Sequence, residues 1–393
     1  PRSTLSSSSA ASDVYKRQFP PIGGGGGQAH RSLLKEFAGR RDLVVDVLTS
    51  APKPGFSTEP FADNIRVHKV GIRKGHLHFW RRSEVLAWLL KARSHYRRLL
   101  CETAYDLAHA FFAFPTGWLC YRTAGQLPYA ISLRGSDVPG GNARLQWDYK
   151  LLGPLVFKPI WQQASALVAC SEGLRQRALR FLPSAQIDVI PNGVDLERFT
   201  PAEEPSAEPR PLRLITVGRL STTKRLDMLI EAVERLDAAG GNVQLTIVGG
   251  GALEGELRRR ISAERFRRTV TMTGRCDADR MPEMYRRHDL YISASAQEGM
   301  SNAMLEAMAS GLPIVTTRCE GVDELIADNG LVVDEASPRT LAEALAGLVG
   351  DRQKLRAMSI AARKQAERFT WRSVAERYLE LYERIVTQRG VNR

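Results

Sequence analysis

Short apolar runs alternate with helix-length segments along most of this chain, and this alternation restricts the folds that it can adopt. The runs are rich in Val, Ile and Leu, and they cover residues 43–48, 128–133, 166–169, 188–190, 212–217, 243–248, 270–273, 290–293 and 313–316. Strands of this kind, separated by helices, form parallel sheets with helices on both faces. The sequence therefore predicts an α/β fold built on doubly wound parallel sheets.

Length and one change of composition predict two such domains. The 393 residues exceed what one hydrophobic core usually supports, and residues 200–211, TPAEEPSAEPRP, have the composition of a hinge. We expect Rossmann-like domains at residues 19–198 and 199–370, followed by a helix at about residues 371–388. Residues 1–18 contain a serine run and lack the apolar core of a signal peptide. We interpret them as a foreign or disordered leader, with a natural flexible tail as the alternative.

Charge and cysteine content narrow the class of protein. The net charge of +13 comes from 26 Lys and Arg against 14 Asp and Glu in residues 1–195, and from 30 against 29 in residues 196–393. A basic half attracts phosphates, acidic lipids or nucleic acid, but the sequence shows no recognised nucleic-acid motif. No run approaches the roughly 20 apolar residues of a membrane span. Five scattered cysteines without a C-x-x-C pair fit a reducing cytosol and argue against a zinc site.

Three glycine-rich turns lead into predicted helices, at residues 20–28, 217–225 and 248–251. Glycine lets the backbone approach a ligand closely, and a helix N-terminus presents free N–H groups to an anion. For any single turn, a steric requirement at the strand end is the alternative. Three such turns in one doubly wound chain favour phosphate binding, although none has the P-loop pattern.

Two carboxylates mark the densest polar region, residues 293–317. Glu298 lies in a predicted loop after a strand, and Glu306 lies two turns into the predicted helix that follows. Open α/β sheets bind ligands at the carboxyl ends of their strands, and carboxylates accept hydrogen bonds from hydroxyl pairs. This pair therefore suits a polyhydroxylated ligand, with an ordinary helix-surface carboxylate as the alternative for Glu306.

The same region resembles the Glu-(x)7-Glu signature of the family-four glycosyltransferases, which are retaining enzymes of the GT-B fold. Further segments resemble the family in the same order, namely residues 106–109 (DLAH), 170–172 (CSE), 189–195 (VIPNGVD) and 218–224 (GRLSTTK). The resemblance covers most of the chain from Phe19 onward. It implies two Rossmann-like domains facing across a cleft, with acceptor bound by the first and donor by the second. It also implies that the last helix packs back on the first domain.

The resemblance assigns roles to residues of the second domain. Arg219 and Lys224 would bind the donor diphosphate as catalytic cations, and Glu298 would face the transferred sugar. Glu306 would hold the ribose hydroxyls. The other donor-binding residues would be Gly218, Gly249, Gly251, Arg275, Cys276, Gly299, Met300, Ser301 and Asn302. Fixed cations stabilise a leaving group whose charge grows in the transition state, so no metal and no cofactor are expected. The Asp277-Ala278-Asp279 match to a metal-binding D-x-D is better explained as a helix N-cap.

The first domain supplies further candidates. His109 would lie near the sugar as a catalytic residue, with a core histidine packed among the following phenylalanines as the alternative. Gly25 and Gly26 belong to the first glycine-rich loop and would bind the substrate or the donor. Asp137 ends the run Arg134-Gly135-Ser136-Asp137, where relatives often have His-Gly-x-Asp. The arginine departs from that pattern, and Asp137 is kept as an acceptor-side candidate.

Two segments of the first domain remain open. Ile72–Leu100 is basic and aromatic, and Val85, Leu86, Leu89 and Leu90 could form one helix face. The segment resembles an interfacial helix that docks on anionic lipid, with packing of that face inside the domain as the alternative. Relatives also begin with a strand just before the first glycine-rich loop. Here either that strand is missing, or a short piece such as Asp13–Tyr15 replaces it.

These features predict a cytoplasmic, retaining hexosyltransferase of polysaccharide or cell-envelope synthesis. Its substrates would be a nucleotide-diphosphate sugar and a lipid-linked or polysaccharide-precursor acceptor, and peripheral attachment to the inner face of the membrane is left open. Nucleic acid is not expected as a partner. The alternatives are a nucleotide-sugar epimerase of the same architecture and a non-catalytic scaffold or lectin-like subunit of a polysaccharide assembly complex.

Overall fold

The computed structural model describes residues 3–9, 25–51, 53–73, 81–140, 146–202, 210–263, 266 and 269–391. It divides into two compact units: residues 1–192 with 371–393, and residues 193–370. Within the described residues the strands are β1 (Ser3–Ser9), β2 (Leu43–Ala51), β3 (Gly55–Ala62), β4 (Ile65–Gly71), β5 (Leu107–Phe111), β6 (Tyr129–Leu133), β7 (Ala166–Ala169), β8 (Ile187–Val189), β9 (Leu212–Val217), β10 (Val243–Val248), β11 (Val270–Gly274), β12 (Leu290–Ser293), β13 (Ile314–Thr317) and β14 (Gly330–Val333).

The helices of unit 1, the first of these units, are α1 (Gly25–Phe37), α2 (Arg82–Glu102), α3 (Thr116–Tyr121), α4 (Gln146–Leu152), α5 (Lys158–Gln162), α6 (Glu172–Phe181) and α14 (Trp371–Val391). Those of unit 2 are α7 (Leu226–Ala238), α8 (Glu254–Ile261), α9 (Met281–Arg286), α10 (Asn302–Ala309), α11 (Val322–Leu325), α12 (Pro338–Ala346) and α13 (Arg352–Ala366). Among the helices of the described residues, none is both long and apolar enough to cross a bilayer.

Each unit is built on one largely parallel sheet. The sheet of unit 1 has the order β3-β4-β2-β1-β5-β6-β7-β8, and only β3 runs antiparallel to its neighbour. The sheet of unit 2 has the order β11-β10-β9-β12-β13-β14, with every pairing parallel. In both sheets the chain winds outward from the centre in two directions, which is the doubly wound arrangement that the strand pattern predicts. The added edge pair β3 and β4 was not predicted.

The central strand of unit 1 differs from the expectation. Ser3–Ser9 forms β1 and pairs in parallel with β2 and β5, with Leu5 opposite Val45 and Leu107. Ser3–Ser9 belongs to the segment interpreted above as a foreign or disordered leader. A parallel ladder needs only backbone N–H and C=O groups, which a serine run supplies. The alternative strand at residues 13–15 lies outside the described residues. The foreign origin of residues 1–18 stays a prediction.

The first helix also begins earlier than predicted, inside the glycine run. Gly25 and Gly26 are the first two residues of α1 rather than parts of a loop. A Cβ at Gly26 would strike the Phe112 ring, so this glycine allows the start of α1 to lie against the segment after β5. This contact explains Gly26 by packing, and the donor-binding role assigned to both glycines stays a prediction.

The terminal helix α14 completes the core of unit 1. Its buried face contributes Trp371, Val374, Tyr378, Tyr382 and Ile385 to one apolar cluster with α1, β2 and β5. The spacing of these residues follows the helical repeat that the sequence shows. The chain therefore leaves unit 1 at residue 192, forms unit 2, and returns to unit 1 at residue 371.

Helix α2 divides its apolar residues between two directions. Val85, Trp88 and Leu89 are buried in a cluster under the sheet, whereas Leu86 and Leu90 are 59% and 58% exposed. Residues 85, 88 and 89 share one stripe of a 3.6-residue helix, and residues 86 and 90 lie beside it. The predicted single face of four residues is therefore wrong: half of it packs inside unit 1 and half faces solvent.

The segment after residue 192 is bound to unit 2. The Val194 N–H donates to the Phe369 carbonyl over 2.7 Å. The Arg363 guanidinium donates to the carbonyls of Phe199 and Leu196 over 2.7 and 3.1 Å. These bonds hold residues 193–199 against α13, so the unit boundary precedes the stretch at residues 200–211 that sequence analysis interpreted as a hinge. Residues 203–209 lie outside the described residues.

Candidate active site

The carboxyl ends of β9 and β10 carry two loops that pack backbone against backbone. The Leu220 N–H donates to the Gly250 carbonyl over 3.2 Å. Gly249 has a φ of +147°, and a Cβ there would fall on the Gly218 carbonyl oxygen. A Cβ at Gly251 would fall on the Leu220 carbonyl oxygen. This close approach explains both glycines by packing, so their donor-binding role stays a prediction.

Lys224 and Glu298 form an ion pair between the loop after β9 and the loop after β12. The Lys224 ammonium donates to the Glu298 carboxylate, and the two side chains are 21% and 17% exposed. The lysine lies along Gly218, where a Cβ would come within 3.1 Å of the lysine Cε. Glycine at this position therefore leaves room for the lysine. The exposed parts of the ammonium and carboxylate remain accessible to a ligand.

The loop between β12 and α10 is held in place by side chains that accept hydrogen bonds from backbone N–H groups. The Glu298 N–H donates to the Glu320 carboxylate over 3.1 Å. Ser301 is the N-cap of α10, and its Oγ accepts from the Met304 N–H over 3.3 Å. The residues predicted to meet the donor through backbone amides all lie here: Gly299, Met300, Ser301 and Asn302. Of these, Met300 and Ser301 are buried.

Glu306 lies on the second turn of α10, and its half-buried carboxylate is held by Tyr285 of α9. The tyrosine O–H donates to Glu306 Oε2 over 2.9 Å. Burial raises the pKa of Glu306 to about 7, while the hydrogen bond from Tyr285 and the charge of Arg198 oppose that rise. An ionised carboxylate only accepts hydrogen bonds, whereas its protonated form also donates one. The hydrogen-bonding character of Glu306 therefore changes near neutral pH.

Arg219, Arg275 and Cys276 lie in the neighbouring loops. Arg219 and Cys276 are half-buried, and Arg275 is exposed. The Arg275 side chain crosses Gly250, where a Cβ would lie 2.8 Å from the guanidinium Nε. All the site residues predicted for unit 2 thus lie at the carboxyl edge of its sheet or on α10, which follows it. The edge includes the switch between β9 and β12, the place where doubly wound sheets bind ligands.

One aspartate of the D-x-D match at residues 277–279 forms an ion pair with an arginine. Asp277 stands at the start of a 3-10 turn without a side-chain cap, and Asp279 pairs with the Arg198 guanidinium at 3.1 Å. Across the described ranges of the chain, no cluster of three or more His, Cys, Asp or Glu residues could hold a metal ion.

His109 is buried in the middle of β5 with both ring nitrogens engaged. Nδ1 lies 2.6 Å from the Tyr382 hydroxyl, and Nε2 lies 2.8 Å from the Ser132 hydroxyl. Burial lowers the pKa of His109 well below its usual value. Only 1% of the residue is exposed. These contacts match the alternative of a core histidine, and the catalytic role of His109 stays a prediction.

Asp137 is also buried, and its carboxylate binds backbone amides. One oxygen accepts from the Ala113 N–H and the other from the Arg134 N–H, each over 2.8 Å. Burial raises the pKa of Asp137, and these backbone bonds oppose the rise. The side chain therefore ties together the segments after β5 and β6, and its predicted acceptor-side role stays a prediction.

Sequence analysis missed Tyr285 and Glu320. Glu320 follows β13 at the same edge of the sheet, so the rule that ligand sites follow strand ends could have found it. Tyr285 occupies an ordinary apolar position of α9, and no local pattern shows that its hydroxyl reaches a glutamate 21 residues later.

Family profiles match nearly the whole described chain. Residues 23–198 match Glycosyltransferase Family 4, and residues 200–365 match the group 1 glycosyl transferases. The chain belongs to the family-four glycosyltransferases. This agrees with the position of Glu298 and Glu306 at the carboxyl edge of the second sheet.

Two curated relatives of this glycosyltransferase have names that specify inositol-containing compounds. A GDP-mannose-dependent alpha-(1-6)-phosphatidylinositol monomannoside mannosyltransferase of Mycolicibacterium smegmatis is 29% identical over 66% of this chain and 71% of its own length. A D-inositol 3-phosphate glycosyltransferase of Segniliparus rotundus is 27% identical over 78% of this chain and 65% of its own length. The chain thus spans about two thirds of the length of these relatives.

A solved structure shows the fold. The sucrose-phosphate synthase of Thermosynechococcus elongatus superposes with a TM-score of 0.77 over 98% of this chain and all of that one, at 20% identity. The fold of this glycosyltransferase is therefore GT-B, as the sequence predicts.

Proposed function

We propose that the protein transfers a hexose from a nucleotide-diphosphate sugar to a lipid-linked or polysaccharide-precursor acceptor, with retention of anomeric configuration. The observation that carries this proposal is the pairing of Lys224 with Glu298 at the switch point of the second sheet. Glu306 lies on α10, the helix that follows the loop of Glu298. Retention rests on the family resemblance, and we assign no protein nucleophile.

The roles of these residues follow from their charges. In the proposed complex the donor diphosphate takes over the Lys224 ammonium, with Arg219 as the second cation. Negative charge grows on the diphosphate as the glycosidic bond breaks, so cations fixed there stabilise the transition state more than the ground state. Glu298, released from the lysine, is then free to accept hydrogen bonds from the transferred sugar. Glu306 accepts from the ribose hydroxyls.

We propose that this reaction is metal-independent, since the two side-chain cations supply the charge that a divalent ion would otherwise bring. Binding and turnover should then be unchanged by EDTA. A requirement for Mg²⁺ or Mn²⁺ would contradict this part of the proposal.

A lipid-linked acceptor is supported by the surface of α2. The exposed Leu86 and Leu90 lie on a basic helix, and most of the excess positive charge belongs to residues 1–195. Exposed apolar residues beside cations suit the surface of an anionic membrane. The proposed location is therefore the inner face of the cell membrane, reached from the cytoplasm.

A thermal-shift screen tests the donor site. UDP, GDP, ADP and their common sugar conjugates are added without metal to the wild type and to the Lys224→Ala and Glu306→Ala variants. A ligand at 100 times its Kd adds about 2.7 kcal/mol to the stability of the native state, a shift of several degrees. We expect one nucleotide class to stabilise the wild type and neither variant. Lys364→Ala and Glu367→Ala, exposed residues of α13 and its end, are the matched controls.

The outcomes separate the alternatives. A scaffold or lectin-like subunit predicts no nucleotide-dependent shift in the wild type. An epimerase predicts conversion of the nucleotide sugar without any acceptor, which chromatography of the reaction mixture detects. A shift that persists in both site variants would place the nucleotide elsewhere and overturn the proposed site.

A further inference from the structure

One contact at the edge of the second sheet is not used by the proposed reaction, the hydrogen bond from Tyr285 to Glu306. Tyr285 is fully buried, and its ring packs edge-on against Phe199 with 5.9 Å between centroids. Among the described residues, the Tyr285 hydroxyl has one hydrogen-bond partner, the Glu306 carboxylate. That carboxylate in turn has no other hydrogen-bond partner there. A buried phenol without a partner is unfavourable, so this geometry fixes both side chains.

The contact leaves part of the carboxylate available. Tyr285 donates to Oε2 at 2.9 Å, whereas the structure records no protein donor to Oε1 among the described residues. An ionised carboxylate has about four acceptor sites. With one of them taken by the tyrosine, the carboxylate can still accept two hydroxyl groups, and its orientation is set from α9.

We propose that Tyr285 is a positioning residue of the donor site, holding the Glu306 carboxylate ionised and oriented for the two ribose hydroxyls of the nucleotide. This inference rests on the proposed function, because it assumes that Glu306 binds ribose. Tyr285 itself does not touch the nucleotide in this account.

The groups around Glu306 determine the direction of the effect. Arg198 favours the ionised carboxylate through its charge, and burial disfavours it. Tyr291 of β12 is close enough for the Glu306 charge to influence it. Arg363 of α13 donates to the Ala309 carbonyl at the end of α10 and to the carbonyls of Phe199 and Leu196. Among these groups Tyr285 alone donates a hydrogen bond to the carboxylate, so its removal should favour the protonated form.

Protonation of Glu306 would weaken ribose binding. A protonated carboxyl accepts fewer hydrogen bonds than a carboxylate does, and its own O–H group would face the two ribose hydroxyl groups that should donate to it. The sign follows: nucleotide binding should weaken as pH falls through the pKa of Glu306, which the structure places at about 7. In Tyr285→Phe that pKa should be higher. Nucleotide binding should then be weaker than in the wild type at neutral pH and restored at alkaline pH.

Calorimetric titration with UDP and with GDP between pH 6 and pH 9 tests this on the full-length protein. For Tyr285→Phe we expect the midpoint of the pH profile to rise by about one unit, which makes binding roughly fivefold weaker at pH 7 and restores it at pH 9. Glu306→Gln, which imitates the neutral carboxyl, should bind weakly at every pH. Adding Tyr285→Phe to Glu306→Gln should cause no further loss of binding.

Tyr129→Phe is the matched control. This buried tyrosine of unit 1 donates to the Ile160 carbonyl over 2.6 Å, so the variant loses one buried hydrogen bond without touching the donor site. Its pH profile should superpose on that of the wild type.

Two results would overturn the inference while leaving the proposed function intact. One is a Tyr285→Phe profile identical to the wild type. The other is a Tyr285→Phe variant that binds more weakly by the same factor at every pH, which indicates only a structural role. A wild type that binds neither nucleotide at any pH would overturn the proposed function together with the inference.

Discussion

At the scale of single residues, the glycines of the donor loops show how backbone contact shapes the site. Gly249 and Gly251 allow the loop after β10 to lie directly on the loop after β9. That contact fixes the segment containing Gly218, along which Lys224 runs to reach Glu298. The position of the Lys224 ammonium therefore depends on residues that have no side chains of their own.

Gly249→Ala should lower both stability and nucleotide binding. The alanine would be strained at a φ of +147°, and its Cβ would collide with the Gly218 carbonyl oxygen. Backbone strain alone costs about 1–3 kcal/mol, and relief of the collision would displace the lysine. Chemical denaturation and calorimetry with UDP or GDP measure the two effects.

Gly240→Ala is the control for this prediction. Gly240 has a φ of +84°, and a Cβ there would meet nothing within 4 Å. We expect a cost of about 1 kcal/mol from the left-handed conformation and unchanged nucleotide affinity. Equal losses of affinity in the two variants would show that contact between the loops does not position the site.

The charged residues of the candidate site could be predicted from the sequence, but the residues that contact them could not. Lys224, Glu298 and Glu306 follow glycine turns or strand ends, and that local pattern marks ligand sites in doubly wound sheets. The contact of His109 with Tyr382, a residue 273 positions away, could not be predicted, because the local pattern is the same whether the ring points to a ligand or to the core. Contacts between residues so far apart along the chain depend on tertiary packing, and the local spacing of residues in the sequence does not indicate them.

At the scale of secondary-structure elements, α2 has two different faces. The residues that pack under the sheet come from the same apolar run as Leu86 and Leu90, which face solvent. Periodicity in the sequence located the helix. It could not show that Leu86 and Leu90 face solvent, because the residues of β2 and β4 that pack against α2 are known only from the fold.

Replacing both exposed leucines of α2, in Leu86→Lys/Leu90→Lys, should reduce binding to vesicles of mixed neutral and anionic lipid. The exposed positions carry little folding energy, so the melting temperature should stay within about two degrees of the wild type. Vesicle co-sedimentation measures the binding. Because the change adds positive charge, weaker binding would show that apolar insertion, and not charge alone, holds the protein on the membrane.

Ile360→Lys supplies the comparison for that experiment. Ile360 of α13 is 65% exposed and belongs to unit 2. The Ile360→Lys substitution should therefore leave vesicle binding unchanged. If the double variant of α2 also binds vesicles as the wild type does, the membrane role of this helix is wrong.

At the scale of the whole molecule, the two units differ in how the chain builds them. Unit 2 is one continuous stretch, residues 193–370, whereas unit 1 combines residues 1–192 with the returning α14. The doubly wound sheets and most strand positions could be predicted from apolar runs, since each run carries its own signal. The serine strand β1 could not, because Ser3–Ser9 is not an apolar run, although its backbone pairs with β2 and β5.

The returning helix has a consequence for biosynthesis. Domains generally fold as units while the ribosome adds residues, but the core of unit 1 lacks Trp371, Tyr378 and Tyr382 until the last part of the chain is made. We therefore expect nascent chains that have cleared residue 370 but not residue 391 to protect unit 2 from protease while residues 25–192 are still cleaved. Simultaneous protection of both would contradict this order. The half of the enzyme that is translated first would thus be the half that matures last.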